Sequence, residues 1–213
     1  MIRAMMRVWL TAAVWSVAAV WGVALAAGLA IQPASAETEA LPQPPPPGAA
    51  VFADANRYHS GDAVLQNFAQ AAALYQQAAA LGHAEAQNRL GQYYHAGLGV
   101  ALDQPQALHW LRAAAAQGAP QHIFDLAAAL EQGADGSSDP TAAAKLYQQA
   151  TDLDHADAAV SLGVLYQNGT GVAQDFARAL ALYQGPAAAG HARAQNNLGL
   201  LYVRGTGVAL DYT

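Results

Sequence analysis

The sequence predicts an all-α fold, a solenoid of stacked helical hairpins, and three observations carry that prediction. The first is an unslipped 36-residue period. Leu81-Gly82-His83 and Ala189-Gly190-His191 frame Gln117-Gly118-Ala119 and Leu153-Asp154-His155 at equal intervals. The columns Gly91, Ala127, Gly163, Gly199 and Tyr58, Tyr94, Leu130, Tyr166, Tyr202 keep the same register. So do Gly61, Gly97, Gly133, Gly169, Gly205, then Asn67, Asp103, Asp139, Asp175, Asp211, and Ala71, Ala107, Ala143, Ala179. A fixed period of this length is the signature of a repeat array. The second is composition: 54% of residues are hydrophobic but only 8% aromatic. Alanine is by far the commonest of these, and it is the strongest helix former. The third is punctuation, because each unit alternates an apolar helix face, a glycine stop and an acidic or amide cap.

From the N-terminus, Arg3 and Arg7 are the only charged residues before Glu37, and Val8 to Ile31 is uncharged and apolar. Ala34-Ser35-Ala36 then places small residues where a signal peptidase reads. A basic start, an apolar middle and a small-residue site describe a secretory leader at 1–36, cleaved after Ala36. The apolar run is also long enough to cross a bilayer core of about 30 Å. An uncleaved membrane anchor over residues 8–31 is therefore the alternative, and the membrane is met only through that segment. Both readings put the rest of the chain outside the cytoplasm, as a periplasmic, secreted or tethered protein.

Residues 37–47 form a proline-rich linker, in which Leu41 to Gly48 reads L-P-Q-P-P-P-P-G. Consecutive prolines hold an extended polyproline helix and donate no backbone hydrogen bond. The segment reads as a stiff spacer.

The repeat domain spans 48–213, in units 48–83, 84–119, 120–155, 156–191 and a partial unit 192–213. In the second unit, Ala86, Leu90 and Tyr94 fall on one helix face over Ala84 to His95. Gly97-Leu98-Gly99 stops this helix. Asp103 then stands at an N-cap, its carboxylate placed to accept free N–H groups. The next helix turns Ala107, Trp110, Leu111 and Ala114 inward, and Gly118 ends it. The small residue of the Gly91 column lets the two helices approach closely. One hairpin cannot bury its apolar face alone, so stacking completes the core.

Several departures stand out. Unit 1 lacks the G-x-G-V phrase, as a capping repeat does. Unit 3 carries Ala127 and Leu130 in place of Gly and Tyr, and its turn runs Gly133-Ala134-Asp135-Gly136-Ser137-Ser138. Unit 4 has Gly185-Pro186 inside its second helix, which predicts a local change of curvature. Unit 5 stops before its second helix, as a piece of a longer chain or as a face that a partner covers.

Leu90-Gly91-x-x-Tyr94-x-x-Gly97-x-Gly99-Val100-x-x-Asp103 recurs as Leu162 to Asp175 and as Leu198 to Asp211. With the following A-L-x-x and A-A-x-x-G phrases, this resembles the Sel-one-like repeat, a relative of the tetratricopeptide repeat. The resemblance covers 48–213. It implies a right-handed α/α superhelix that serves as a non-catalytic adaptor in exported or envelope-linked roles. It also implies that the first helix of each unit lines a concave groove for a protein or peptide. Carried over by position, that groove holds Asn56 and His59, then Glu85, Asn88, Gln92 and His95. It continues with Gln121, Phe124 and Glu131, then Asp157, Val160 and Gln167, then Arg193 and Asn196.

Other chemistries fit poorly. The net charge of −6 becomes −8 when Arg3 and Arg7 leave with the leader, and the 9 basic residues form no run. Nucleic-acid binding needs clustered Lys and Arg. The absence of cysteine excludes disulfides, thiol catalysis and thiolate metal sites. His83, His155 and His191 share one column and His59 and His95 another. Each pair is at least a repeat apart, too far for one metal ion, so no metal or cofactor is expected. The Gly-x-Gly turns follow no strand and precede no G-K-[ST]. Some members of the resembled family are described as β-lactamases, but those are Cys-rich, and the S-x-x-K signature is absent here.

Overall fold

The computed structural model describes residues 45–133 and 138–205. The expected leader with its cleavage point after Ala36, the 8–31 anchor and the linker up to residue 44 lie outside these residues. So do the unit-3 turn at 134–137 and the unit-5 phrase from 206 to 213.

The described residues contain helices and turns and no strand. The first helices of the five units are α1 (Ala49–Ser60), α3 (Ala84–Ala96), α5 (Pro120–Gln132), α7 (Ala156–Asn168) and α9 (Ala192–Arg204). The second helices are α2 (Phe68–Ala80), α4 (Gln104–Ala115), α6 (Pro140–Thr151) and α8 (Phe176–Ala188). α1, α3, α5 and α7 each pack on the second helix of their own hairpin, and each second helix packs on the first helix of the next. This is an α/α solenoid. None of the described helices is long and apolar enough to cross a membrane.

The caps explain the period. Asn67, Asp103, Asp139 and Asp175 each accept the backbone N–H three residues on, at 2.9–3.0 Å. That bond satisfies one orphan donor of each second helix. The first helices are capped by histidine. Nδ1 of His83, His155 and His191 accepts the N–H of Ala86, Ala158 and Ala194 at 3.2, 3.2 and 3.4 Å. An imidazole that accepts at Nδ1 carries its proton on Nε2. In two of the three, that Nε2 donates to the preceding unit, from His155 to Gln121 and from His191 to Asp157, both at 3.0 Å. The rings of His83 and His155 also stack on Phe52 and Phe124. The histidine column is thus a set of joints between hairpins. Ala119, the residue of this column before α5, makes no side-chain cap, and α5 relies on Pro120 at its first helical position.

The glycine phrases have two different packing reasons. A Cβ on Gly91 would lie 2.7 Å from Leu111 Cγ, and one on Gly163 would lie 2.4 Å from Tyr183 Cε1. These glycines are where the two helices of a hairpin touch. Gly99 and Gly171 instead press on the preceding unit. A Cβ there would meet the carbonyl groups of Phe68 and Pro140 at 2.3–2.4 Å, on a backbone already left-handed. A Cβ on Gly199 would meet nothing within 4 Å among the described residues beyond its own helix. An open cavity of about 460 Å³ lies there, bordered by Gln184, Ala187, Leu198 and Tyr202.

The core is built of alanine with a few large side chains. Ala86, Leu90, Ala107, Leu111 and Ala114 are buried as expected, and Trp110 is half-buried against them. Tyr94 corrects the expectation, because it is only half-buried while Tyr93 beside it is 2% exposed. A first helix has two helical neighbours, so its apolar arc is wider than one stripe and takes in both tyrosines. Tyr75, Tyr147 and Tyr183 fill the hairpin interiors completely. Across Gly185-Pro186, α8 remains one 13-residue helix, the length of α2.

Candidate functional site: the first-helix face

Consecutive first helices lie near enough for their side chains to bond directly. His59 Nδ1 meets the Tyr93 hydroxyl at 2.7 Å. Asn88 Nδ2 donates to Asp125 at 2.6 Å and Gln92 Nε2 to the same oxygen at 3.1 Å. His122 Nε2 meets Glu85 at 3.0 Å, and Arg193 approaches Ser161 at 3.5 Å. These bonds join α1 to α3, α3 to α5 and α7 to α9; between α5 and α7 the link is Gln121 with the N-cap residue His155.

The residues expected in the groove divide by what they do here. Asn56, Glu131 and Gln167 accept the hydroxyl protons of buried Tyr75, Tyr147 and Tyr183, at 2.7, 2.7 and 3.1 Å. They satisfy groups that burial would otherwise leave without water. Burial pushes Tyr183 up to about 12 and raises Tyr75, Tyr93 and Tyr147 as well; the Glu131 carboxylate adds to the rise at Tyr147. Glu85 pairs with Arg89 at 3.1 Å as well as with His122, and Asp157 pairs with His191 and, at 3.9 Å, with Arg193. His95 lies between Gln104 and Gln132. Gln121, Arg193 and Asn196 are exposed.

One column faces another way. Val160 is 0% exposed and sits in the core with Ala179 and Tyr183, so it is not an open groove residue. Asn88 is 3% exposed. Phe124 packs on Tyr147 and His155 rather than on solvent. These residues share the column of Phe52, which is turned toward the second helix and the next joint. The stripe opposite the core is narrower than helical spacing alone suggests.

Three residues of α5 escape sequence reasoning: His122, Asp125 and Gln132. The signal lies in broken columns. His122 stands where Ala86, Ala158 and Ala194 recur, and Asp125 where Arg89, Ser161 and Asn197 stand. Asp125 gathers three amide donors, the third being Gln121 Nε2 at 2.9 Å. Asn88 Oδ1 and His122 Nδ1 are buried with no hydrogen-bond partner among the described residues. Those residues hold no cluster of three His, Cys, Asp or Glu able to bind a metal ion.

The sequence matches the Sel1 repeat family over residues 49–83, 84–118, 123–155, 156–191 and 192–213. No curated protein matches it. One similar solved structure is a protective antigen present in uropathogenic Escherichia coli strains that displays an SLR fold. It is 32% identical with a TM-score of 0.73, over 78% of this chain and 36% of that one. The chain thus spans about a third of that protein's length. A Sel1 repeat protein from Oxalobacter formigenes is 31% identical with a TM-score of 0.69, over 77% of this chain and 67% of that one.

Proposed function

The chain belongs to the Sel1 repeat family, and from that premise we propose that it is a non-catalytic scaffold that holds a protein or peptide partner along its first helices. Proteins of this family generally mediate protein–protein interaction. The observation that carries the reading is the set of polar bonds between neighbouring first helices, α1 to α3, α3 to α5 and α7 to α9, at 2.6–3.5 Å. Such close approach supports reading this face as the inner one of the solenoid. Its amide and carboxylate groups suit the backbone and basic groups of a peptide.

In the same reading the chain is exported by residues 1–36 and acts in the periplasm or outside the cell. A tethered spacer held by residues 8–31 is the second reading, favoured by the length of that apolar run.

The test is affinity isolation of the exported protein, with mass spectrometry of its own N-terminus and of whatever it retains. Glu85 and Asp157 knit adjacent units, so reversing their charge also disturbs the scaffold. Gln121→Arg combined with Arg193→Glu alters the exposed positions of this face, and its melt reports what the loss of their own bonds to His155, Ser161 and Asp157 does to the scaffold. A partner retained by the native chain and lost by this variant, with an unchanged melt, is the expected result. A partner retained equally by both overturns the assignment to this face. A start at Glu37 supports export with cleavage, and an intact Arg3–Ile31 segment supports the tether.

A further inference from the structure

Unit 3 departs from its neighbours along one stripe of α5. Beside His122 and Asp125, it carries Ala128 where the other units have Gln92, Val164 and Leu200. Positions 122, 125 and 128 advance by three and lie on one side of the helix. His122 and Asp125 are bonded to α3. The short side chain at 128 leaves a cavity of about 160 Å³ beside them. It is bordered by Gln92 and His95 of α3, Leu111 of α4, and Asp125, Ala128 and Gln132 of α5.

The one ionised group at this cavity is Asp125. Asp125 is a half-buried carboxylate whose two oxygens take only neutral amide N–H groups, and it forms no ion pair among the described residues. Glu85 and Asp157, on the same face, each have an arginine and a histidine. Gln92 commits its Nε2 to Asp125, which leaves its Oε1 as a further acceptor. His95 is fixed in the same way. Gln104 donates Nε2 to the His95 carbonyl at 3.2 Å, and this turns its Oε1 to His95 Nδ1 at 3.1 Å. With Nδ1 donating, Nε2 of the neutral ring accepts. It is paired with the side-chain amide of exposed Gln132 at 3.3 Å, whose N–H end is the donor for an accepting ring nitrogen. The other walls, Leu111, Ala128 and Ala129, are apolar.

A carboxylate without a counter-charge, the Gln92 Oε1 acceptor beside it, and an apolar wall call for one kind of group. It must be positive, rich in N–H donors, free of acceptors, and carried on an aliphatic stem. We propose that the cleft between α3 and α5 receives a lysine or arginine side chain of the bound partner. Its charged head lies on Asp125 beside Gln92 Oε1, and its stem lies along Leu111, Ala128 and Ala129. The volume admits such a head, since one water occupies only about 30 Å³ of liquid. The inference rests on the first helices being the partner-binding face, and it adds that the segment held by units 2 and 3 is basic.

The experiment uses the full chain, isotopically labelled, and three probes: acetyl-Ala-Lys-Ala-amide, its norleucine analogue and its glutamate analogue. Chemical shifts are followed at the side-chain amides of Asn88, Gln92 and Gln121 and at the backbone of Ala128 and Ala129. The lysine probe alone moves them, and about 0.5 M salt suppresses the effect. Asp125→Asn weakens the lysine probe roughly ten-fold, the loss expected when one charge-assisted hydrogen bond becomes neutral. If that variant melts early, Ala128→Leu supplies the second arm: it fills the cavity, keeps the charge and blocks the probe. Asp54→Asn, on the exposed side of α1, changes nothing. Equal binding of the norleucine probe, or lysine binding that ignores both cleft variants, overturns the proposal. So does silence at α3 and α5 toward all three probes. Shifts confined to other first helices overturn the cleft while the scaffold reading stands.

Discussion

Replacing Gly163 by alanine tests the packing logic of the repeat. In an open helix the change is favourable by about 0.8–1.0 kcal/mol, because glycine costs more backbone entropy. At Gly163 the new Cβ would sit 2.4, 2.9 and 3.0 Å from three ring atoms of Tyr183. That ring has no room to retreat. Tyr183 is 0% exposed, and its hydroxyl is anchored on Gln167. Overpacking of this kind costs about 1–3 kcal/mol, so Gly163→Ala is expected to lose roughly 1–2 kcal/mol net. Gly199 has the same place in the repeat and an empty surrounding. Gly199→Ala is therefore expected to gain up to about 1 kcal/mol. The assay is urea unfolding followed by circular dichroism, with the two variants and the native chain run together. Opposite signs at two equivalent positions are the expected result. Equal effects would refute the claim that Gly163 is small because a helix lies against it.

Three further outcomes follow from the same geometry. His155→Ala removes the Nδ1 cap of α7 and is expected to cost about 1 kcal/mol, while His155→Asn restores a capping oxygen and recovers most of it; both are read from urea midpoints. Asp154 holds a left-handed backbone with φ 61, where Gly82, Gly118 and Gly190 stand in other units. Asp154→Gly is expected to stabilise by up to about 1 kcal/mol, and a loss would mean that the aspartate has a role its surroundings do not show. At high pH the buried tyrosines work against the fold. Tyr183 is raised from 10.0 to about 12, so the folded state holds the proton that the unfolded state releases. Its contribution is complete below pH 10 and is lost between pH 10 and about 12, on the order of 2 kcal/mol. Tyrosinate absorbance should then rise in step with loss of helix, and full ionisation with the helix intact would contradict this.

The period, the hairpins and the second-helix caps were legible because each depends on local rules: glycine stops, acidic caps and helical spacing. The joints were less so. Imidazole is not among the usual capping groups, so the His83, His155 and His191 column reads in sequence only as a turn. Tyr93 and Tyr94 show a second limit. Helical spacing gives the direction of one neighbour, while a first helix has two. The same limit misplaced Val160, which has groove spacing and core burial. The cleft on α5 was present in sequence only as broken columns at 122, 125 and 128. Periodic reading looks for what recurs and passes over such positions.

The most direct test of the account is site-specific photo-crosslinking in cells that produce the chain. The probe is placed in turn at Gln121 and Arg193 on first helices, and at Gln106, Lys145 and Gln148 on second helices. All five are exposed. A defined partner captured from the first-helix positions and not from the second-helix positions is the predicted result. Capture of the same partner mainly from the second helices would contradict the central claim that the first-helix face is the one that binds.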